Sequence, residues 1–146
     1  MNQPKFSFNL TSTNPSAELG FEVWINDQCV VDIDHVNNSQ RIQGMLPTDS
    51  VESDHVMKLV LKNKQPNHTQ VSSSGEIVKD SCLEISNLTF DTVELNFNIL
   101  QTAVYRHNFN GTADSGQHKF YGVMGCSGTV ELRFSTPIYL WLLEHM

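Results

Sequence analysis

The sequence predicts an all-β protein, a sandwich of two antiparallel sheets, from three observations. Apolar and polar residues alternate with a period of two in segment after segment, as in half-buried strands. No stretch keeps the 3.6-residue period of an amphipathic helix for three turns. Clusters of Asn, Asp, Gly and Ser, which favour turns, separate the alternating segments. The 146 residues show neither a repeat nor a linker, which predicts a single domain over residues 1–146.

Charge narrows the range of partners. Charged residues make up 17% of the chain, against roughly a quarter in an ordinary soluble domain, and the net charge is −7. Since Lys and Arg are scattered singly, we expect no basic stripe that would neutralise phosphates, and no nucleic-acid partner. An acidic surface rich in Asn, Ser and Thr suits solubility, cation binding or contact with neutral polymers such as polysaccharide.

The amino end, from Met1 to Phe8, lacks the cationic and apolar regions of a signal peptide, so no export by that route is expected. The longest apolar run, residues 138–143, is far shorter than the about 20 residues that span a bilayer, so no membrane insertion is expected. The cysteines at 29, 82 and 126 form no CxxC pair, which predicts free thiols.

The first strands are predicted from residues 5–33. Residues 5–10 alternate apolar and polar side chains and form the opening strand, and a loop follows over residues 11–19. Residues 21–25 and 29–33 alternate on either side of the turn sequence at 26–28, which predicts a hairpin.

The middle of the chain contains one weak strand, one strong strand and a long polar excursion. Residues 41–46 form the weaker strand, and residues 47–54 form an acidic loop. Residues 56–63 alternate most clearly and predict a strand with one buried face. The polar stretch 63–80 is long enough to suggest a functional loop, with a small hairpin near residues 76–78.

The second half resumes the alternation. Residues 83–90 form a predicted strand with a one-residue slip at 86–87, which a β-bulge would absorb. Further strands are predicted at 93–99, 104–109 and 130–134, with a polar loop between the last two at 110–117.

The last segment, residues 138–143, is predicted to be a terminal strand that is apolar on both faces. One face would carry Tyr139, Trp141 and Leu143, and the alternate positions would form the other. Such a strand must be covered on both sides, either by the domain itself or by a partner. We therefore interpret it as a core-closing element or an assembly interface.

Trp24 is the candidate for a glycan-binding platform. If Phe21, Val23 and Ile25 face the core, Trp24 shares the opposite face with Glu22. A flat aromatic ring stacks on the C–H face of a sugar while carboxylates and amides bind its hydroxyls. The alternative is a tryptophan covered by a second sheet or by a partner.

A calcium site is the candidate at the edges of the long loop, where Asn63, Glu76 and Asp80 supply oxygen ligands. The acidic loop at 47–54 offers further carboxylates. No spacing matches an EF-hand, and a solvated acidic loop is the alternative interpretation. Catalysis is poorly supported, because Cys126 lies in a glycine-rich turn and no nucleophile motif is present. We expect no enzyme.

Residues 21–91 resemble the calcium-dependent xylan-binding modules. The similarity lies in VWIND at 23–27, LVLKNK at 59–64 and DSCLEISNLTF at 80–90. It implies a jelly-roll or carbohydrate-binding-module-like sandwich, and a loop that carries calcium in contact with sugar hydroxyls. Asn63 and Asp80 match that pattern, whereas Lys64 replaces an aspartate and opposes a bound cation by charge repulsion.

The segments at 107–112, 120–122 and 134–146 are similar to small virion proteins of marine tailed phages. This resemblance implies a non-enzymatic tail, fibre or decoration protein that is made in the host cytoplasm and located in the virion. Its partners would be other virion proteins or further copies of itself. The alternative is a glycan-binding domain, with or without calcium, that recognises a host surface polysaccharide.

Overall fold

The computed structural model describes residues 3–14, 17–48, 50–63, 69–71, 73–74, 77–107, 116–125 and 127–145. The elements are β1 (Lys5–Ser12), β2 (Gly20–Ile25), β3 (Gln28–Ile33), β4 (Ser39–Met45), β5 (Ser53–Lys62), β6 (Thr69–Val71), β7 (Ile77–Asp80), β8 (Leu83–Phe90), β9 (Val93–Glu94), α1 (Phe97–Leu100), β10 (Val104–His107), β11 (Gly116–Lys119), β12 (Val123–Met124), β13 (Gly128–Thr136) and α2 (Ile138–His145). Within these residues strands dominate, with two short helices, one between β9 and β10 and one at the carboxyl end.

Two antiparallel sheets form the predicted sandwich. The five-stranded sheet has the order β12-β8-β1-β4, with β9 paired to β8. The six-stranded sheet has the order β11-β10-β13-β5-β2-β3. Strands β6 and β7 form a separate hairpin, in the polar excursion where a small hairpin was predicted. The fold class predicted from alternation is confirmed.

The alternating apolar residues meet between the sheets. Phe6, Phe8 and Leu10 of β1 are fully buried on the five-stranded side. Phe21 of β2 lies opposite, with its ring centroid 5.9 Å from that of Phe8. Fully burying such side chains contributes about 1.5 to 3 kcal/mol each, so the period-two pattern drives the assembly of the two sheets.

The predicted bulge in β8 is present. The pairing of β1 with β8 shifts register between Ser7 and Asn9, where β8 inserts one additional residue. Asn87 lies in that insertion and has a φ of 56°. Asn is one of the few residue types that adopt this left-handed conformation at low cost, so the slip in the sequence pattern and the backbone agree.

The prediction of one strand over residues 93–99 was wrong. Only Val93 and Glu94 pair as β9, and the one-turn helix α1 follows. The Asn96 side-chain oxygen accepts a hydrogen bond from the Ile99 amide at 3.0 Å, which is the geometry of a helix N-cap. The alternation concealed this cap, because Leu95 and Ile99 are buried in either conformation.

The prediction of a strand over residues 138–143 was also wrong, because the segment forms helix α2. Ile138, Trp141 and Leu142 are buried, at the i, i+3 and i+4 positions of one helical face. The first backbone bond runs from the Trp141 amide to the Pro137 carbonyl at 3.2 Å. A uniformly apolar run of six residues carries no periodicity that distinguishes a strand from a helix.

Helix α2 closes one end of the core. The Trp141 ring lies 5.9 Å from Phe90 and 6.2 Å from Phe134, so it contacts one strand of each sheet. The core-closing interpretation is therefore confirmed, but Trp141 is only 5% exposed and does not share a surface with Tyr139 and Leu143, which are exposed. Among the described residues, neither helix is long and apolar enough to cross a membrane.

Candidate functional site

Trp24 lies among charged side chains on the outer face of the six-stranded sheet. Each strand there alternates with buried core residues, so the intervening side chains point to solvent. Cross-strand pairing then places them in rows. The side chains of this outer face are Glu22, Trp24, Asp32, Val56, Lys58, Val60, Lys62, Val104, Arg106, Gln117, Lys119, Thr129, Glu131 and Arg133.

Trp24 lies half-buried on this face, as predicted from its parity with the buried Val23 and Ile25. Its indole Nε1 donates a hydrogen bond to the Glu22 Oε1 atom at 2.8 Å. Its cross-strand neighbour on β5 is Lys58. The hydrogen bond restricts rotation of the indole, which leaves a fixed aromatic surface on the sheet.

Lys62 lies among three acidic side chains, one of which, Glu22, also bonds Trp24. Its ammonium nitrogen lies 3.0 Å from Glu22, 2.7 Å from Asp32 and 3.8 Å from Asp34. The hydrogen bond from Trp24 and the bond from Lys62 both lower the pKa of Glu22. Hydrogen bonds to Asp32 and Glu22 raise the pKa of Lys62 above its usual range. Glu22 and Lys62 are therefore both charged at neutral pH, and their ion pair helps to hold the Glu22 carboxylate against Trp24.

The other half of the face is basic. Arg106 Nε lies 3.3 Å from the Glu131 carboxylate, and Arg133 Nη2 lies 3.9 Å from it. Lys58 is the direct cross-strand neighbour of Glu131, and Lys119 follows on β11 at the edge. We call the side chains of Lys58, Arg106, Lys119, Glu131 and Arg133 the basic half.

Five of the nine basic residues of the chain therefore share one face, namely the four of the basic half and Lys62. Strand pairing brings these cations, which are scattered singly in the sequence, onto one face, where Lys62 and Arg106 form ion pairs with carboxylates. The expectation of no nucleic-acid partner stays a prediction. The signal that the sequence did contain is parity, since Lys58, Lys62, Arg106 and Arg133 each follow or precede a buried residue of their strand. Lys119 lacks this signal, because no residue of β11 is buried.

A cleft of about 440 Å³ lies at the end of this sheet, beside α2. His55 forms one wall, and its ring lies 5.4 Å from that of Phe134. Its Nδ1 is 3.0 Å from the Asn26 amide nitrogen, and its Nε2 is 3.2 Å from the Thr136 hydroxyl. Because the Asn26 oxygen accepts a bond from the Val56 amide, the nitrogen of that side chain faces His55 and donates to it.

Burial lowers the pKa of His55, while nearby Asp54 acts in the opposite direction. The neutral tautomer with a proton on Nε2 satisfies the whole chain of bonds, since the Thr136 hydroxyl in turn donates to the Val51 carbonyl at 2.6 Å. His55 thus links β5, β13 and the β2–β3 turn. Its ring nitrogens are occupied by structural contacts.

Of the three calcium candidates, Asn63 and Asp80 lie in the described residues and Glu76 does not. Asn63 is exposed at the end of β5 with a φ of 69°. Asp80 ends β7, where its backbone pairs with Thr69. Glu76 and Lys64 lie outside the described residues, as does Cys126. Among the described residues, no cluster of three or more His, Cys, Asp or Glu side chains could hold a metal ion. The calcium site stays a prediction.

No protein-family profile matches the chain. No curated protein matches it in sequence. Two solved structures are similar: "vCBM60 in complex with galactobiose", with a TM-score of 0.49 and 7% identity over 88% of this chain and 96% of that one, and the selenomethionine form of vCBM60, with a TM-score of 0.49 and 6% identity over 88% and 89%. The latter is described by the statement "Circular permutation provides an evolutionary link between two families of calcium-dependent carbohydrate binding modules".

Both structures are of vCBM60, and the second is introduced with two families of calcium-dependent carbohydrate binding modules. With identities of 6% and 7%, the likeness is one of chain trace, and no binding residue is transferred from either structure. The resemblance to phage virion proteins stays a prediction.

Proposed function

We propose that this protein is a non-enzymatic carbohydrate-binding domain that holds a glycan across the outer face of the six-stranded sheet. The observation that carries the proposal is the half-buried indole of Trp24, which a 2.8 Å hydrogen bond to Glu22 fixes among charged side chains. A sugar ring presents an apolar C–H face that stacks on such a surface, and its hydroxyls form hydrogen bonds with the surrounding groups.

The arrangement around Trp24 supports binding because it exists before the ligand arrives. Glu22 and Lys62 are already held by each other at 3.0 Å, so few side chains lose freedom on binding. An ionised carboxylate accepts hydrogen bonds at two oxygens, and Asp32 is well exposed beside Lys62. These groups suit a ligand that is rich in hydroxyls.

The same electrostatics argue for binding without catalysis. A glycosidase needs a carboxyl group with a raised pKa that can donate a proton to the leaving oxygen. Glu22, the carboxylate in contact with Trp24, has a pKa that is lowered by its hydrogen bonds. It therefore stays ionised and accepts bonds from hydroxyls.

The test is calorimetric titration of the full chain with a panel of neutral and acidic polysaccharides. We expect Trp24→Ala to weaken binding at least about tenfold, equivalent to about 1.4 kcal/mol, because the variant removes the apolar surface on which the sugar ring stacks. Tyr121→Ala is the matched control, since Tyr121 is an exposed aromatic residue (68%) in the connection between β11 and β12, outside the strands of this sheet. Absence of any binding by the wild type, or equal binding by Trp24→Ala, would refute the proposal.

Membership of a virion is a separate proposal, compatible with glycan binding. The feature that bears on it is the outer side of α2, where Tyr139, Leu140 and Leu143 are 43%, 51% and 76% exposed. Contact with another subunit would cover these side chains. Mass spectrometry of purified particles tests the location, and sedimentation of the isolated chain tests self-association.

A further inference from the structure

The basic half carries an excess of positive charge that its own acidic residue does not balance. The basic half holds four cations, Lys58, Arg106, Lys119 and Arg133, and the one carboxylate of Glu131, in a chain whose net charge is −7. Asp54 and Glu144 line the neighbouring cleft beside Arg133. A local excess of one sign on an oppositely charged protein marks a surface that attracts a ligand of complementary charge.

A hollow of about 280 Å³ lies within the basic half. Arg106, Glu131 and Arg133 line it, together with Val104, Thr102 and His145. The Arg133 side chain is 79% exposed and that of Arg106 is 45% exposed, whereas Glu131 is only 18% exposed. Each guanidinium has five N–H donors, and contact with one carboxylate leaves several of them directed to solvent.

The hollow and Trp24 lie on one row across the sheet. Trp24 pairs with Lys58, Lys58 pairs with Glu131, and Glu131 pairs with Val104. Adjacent strands are about 4.8 Å apart, so Trp24 and Glu131 are separated by roughly 10 Å. A short oligosaccharide can contact both.

We propose, on the basis of the proposed function, that the glycan is acidic and that its carboxylate or sulfate group binds in the hollow between Arg106 and Arg133. The planar guanidinium matches the geometry of both anions through paired hydrogen bonds. A neighbouring sugar then stacks on Trp24.

The half of the face around Trp24 and Lys62 is acidic, and its charge limits how closely the negative charges on the ligand can follow one another. Glu22, Asp32 and Asp34 surround the single cation of Lys62 there, so a polyanion with a charge on every unit would meet repulsion beyond Trp24. The ligand that fits has acidic sugars separated by neutral ones. For the same reason a single-stranded nucleic acid, with a phosphate on every unit, fits this face poorly.

The experiment uses the full chain with hyaluronan and with carboxyl-reduced chondroitin sulfate, in which acidic and neutral sugars alternate, each beside its fully uncharged form (carboxyl-reduced or desulfated). Alginate, which is charged on every unit, is the polymer expected to bind poorly. All titrations are made at physiological ionic strength. We expect at least one acidic polymer to bind about tenfold more tightly than its neutral counterpart. Pairs that differ only in carboxylate or only in sulfate identify which anion occupies the hollow. Arg106→Gln and Arg133→Gln should each reduce the preference about three- to fivefold, and the double variant should abolish it.

Arg41→Gln is the matched control, because Arg41 lies on the outer face of the other sheet. The proposal is overturned if no acidic polymer exceeds its neutral counterpart, if the double variant keeps the preference, or if a single-stranded oligothymidine binds as tightly. If neutral glycans still bind in a Trp24-dependent way, only the preference for acidic glycans fails and the proposed function stands.

Discussion

The two outer faces of the sandwich differ in chemistry although both alternate with the same apolar core. On the six-stranded sheet, charged side chains surround Trp24 and form ion pairs such as Lys62 with Asp32 at 2.7 Å. On the five-stranded sheet, the outward side chains are mainly hydroxyls and amides that bind one another. The bonds of that network are Arg41 to Ser7 and Asn9, Asn9 to Asn87, Asn87 to Glu94, and Thr11 to Ser39.

The two faces differ in how many hydrogen-bonding groups and how much aromatic surface they offer to a ligand. On the five-stranded sheet the hydroxyl and amide side chains already bond one another, so a ligand would have to replace many of these bonds at little gain. The six-stranded sheet has spare donors on Arg133, which is 79% exposed, and a fixed aromatic surface at Trp24. Binding is therefore expected on the outer face of the six-stranded sheet.

The largest contrast is expected from removing one cation on each face. Lys62→Met leaves the carboxylates of Glu22, Asp32 and Asp34 close together without their shared counter-ion, so they repel. Arg41→Met removes a cation whose partners are the neutral Ser7 and Asn9. We expect Lys62→Met to lower the melting temperature more than Arg41→Met, with the gap narrowing at high salt.

Thermal denaturation at low and high ionic strength measures this contrast. Glycan affinity should fall together with stability in Lys62→Met, because Glu22 loses the partner that helps to hold it against Trp24. Equal shifts in melting temperature for both variants at low salt would show that the two faces do not differ electrostatically.

Acid provides a second contrast, because His55 and Thr136 lie on strands of the six-stranded sheet and Asn26 lies in the β2–β3 turn of the same sheet. Burial lowers the pKa of folded His55 below the value of 6.5 expected for the unfolded chain. The stability that the neutral ring contributes is therefore complete above pH 6.5 and is lost as the pH falls through the folded pKa. We expect a lower melting temperature at about pH 5 than at about pH 7.5.

His55→Gln should reduce this dependence on pH, and the exposed His35→Gln is the matched control. The charged groups that line the same cleft are Asp54, Arg133, Glu144 and His145, so the comparison is made between variants rather than against a fixed value. An unchanged pH profile in His55→Gln would exclude the ring as the source of acid sensitivity.

Strand alternation predicted the fold and the orientation of Trp24, because both depend on local parity. Strand pairing could not be predicted in the same way. Lys58 and Glu131 are 73 positions apart, and only the register of β5 against β13 makes them neighbours. The basic half consequently went unpredicted, although Lys58, Glu131 and Arg133 had the parity of outward side chains on predicted strands, and Lys119 lies on a strand, β11, that was not predicted.

The segments predicted wrongly share one physical cause. Residues 93–99 and 138–143 have buried positions that satisfy a strand and a helix alike over one or two turns. In residues 93–99, the hydrogen bond from the Ile99 amide to the Asn96 side chain caps the helix and favours it over a strand. In the second segment, the His145 ring hydrogen-bonds the Trp141 carbonyl at 2.8 Å near the helix end, a stabilising position for histidine.

The smallest effect is expected at Asn87, in the middle of the polar network. Asn87→Gly removes the bonds to Asn9 and Glu94 but keeps a residue that tolerates the φ of 56°. Since exposed hydrogen bonds contribute little net stability, we expect a loss of about 0.5 kcal/mol or less in the free energy of unfolding. Asn87→Ala removes the same bonds and adds the cost of a left-handed conformation, about 1 kcal/mol more. Urea denaturation measures both variants, and neither should change glycan affinity. A large loss in Asn87→Gly would mean that the network itself stabilises the five-stranded sheet, and reduced glycan binding would place part of the ligand on that face.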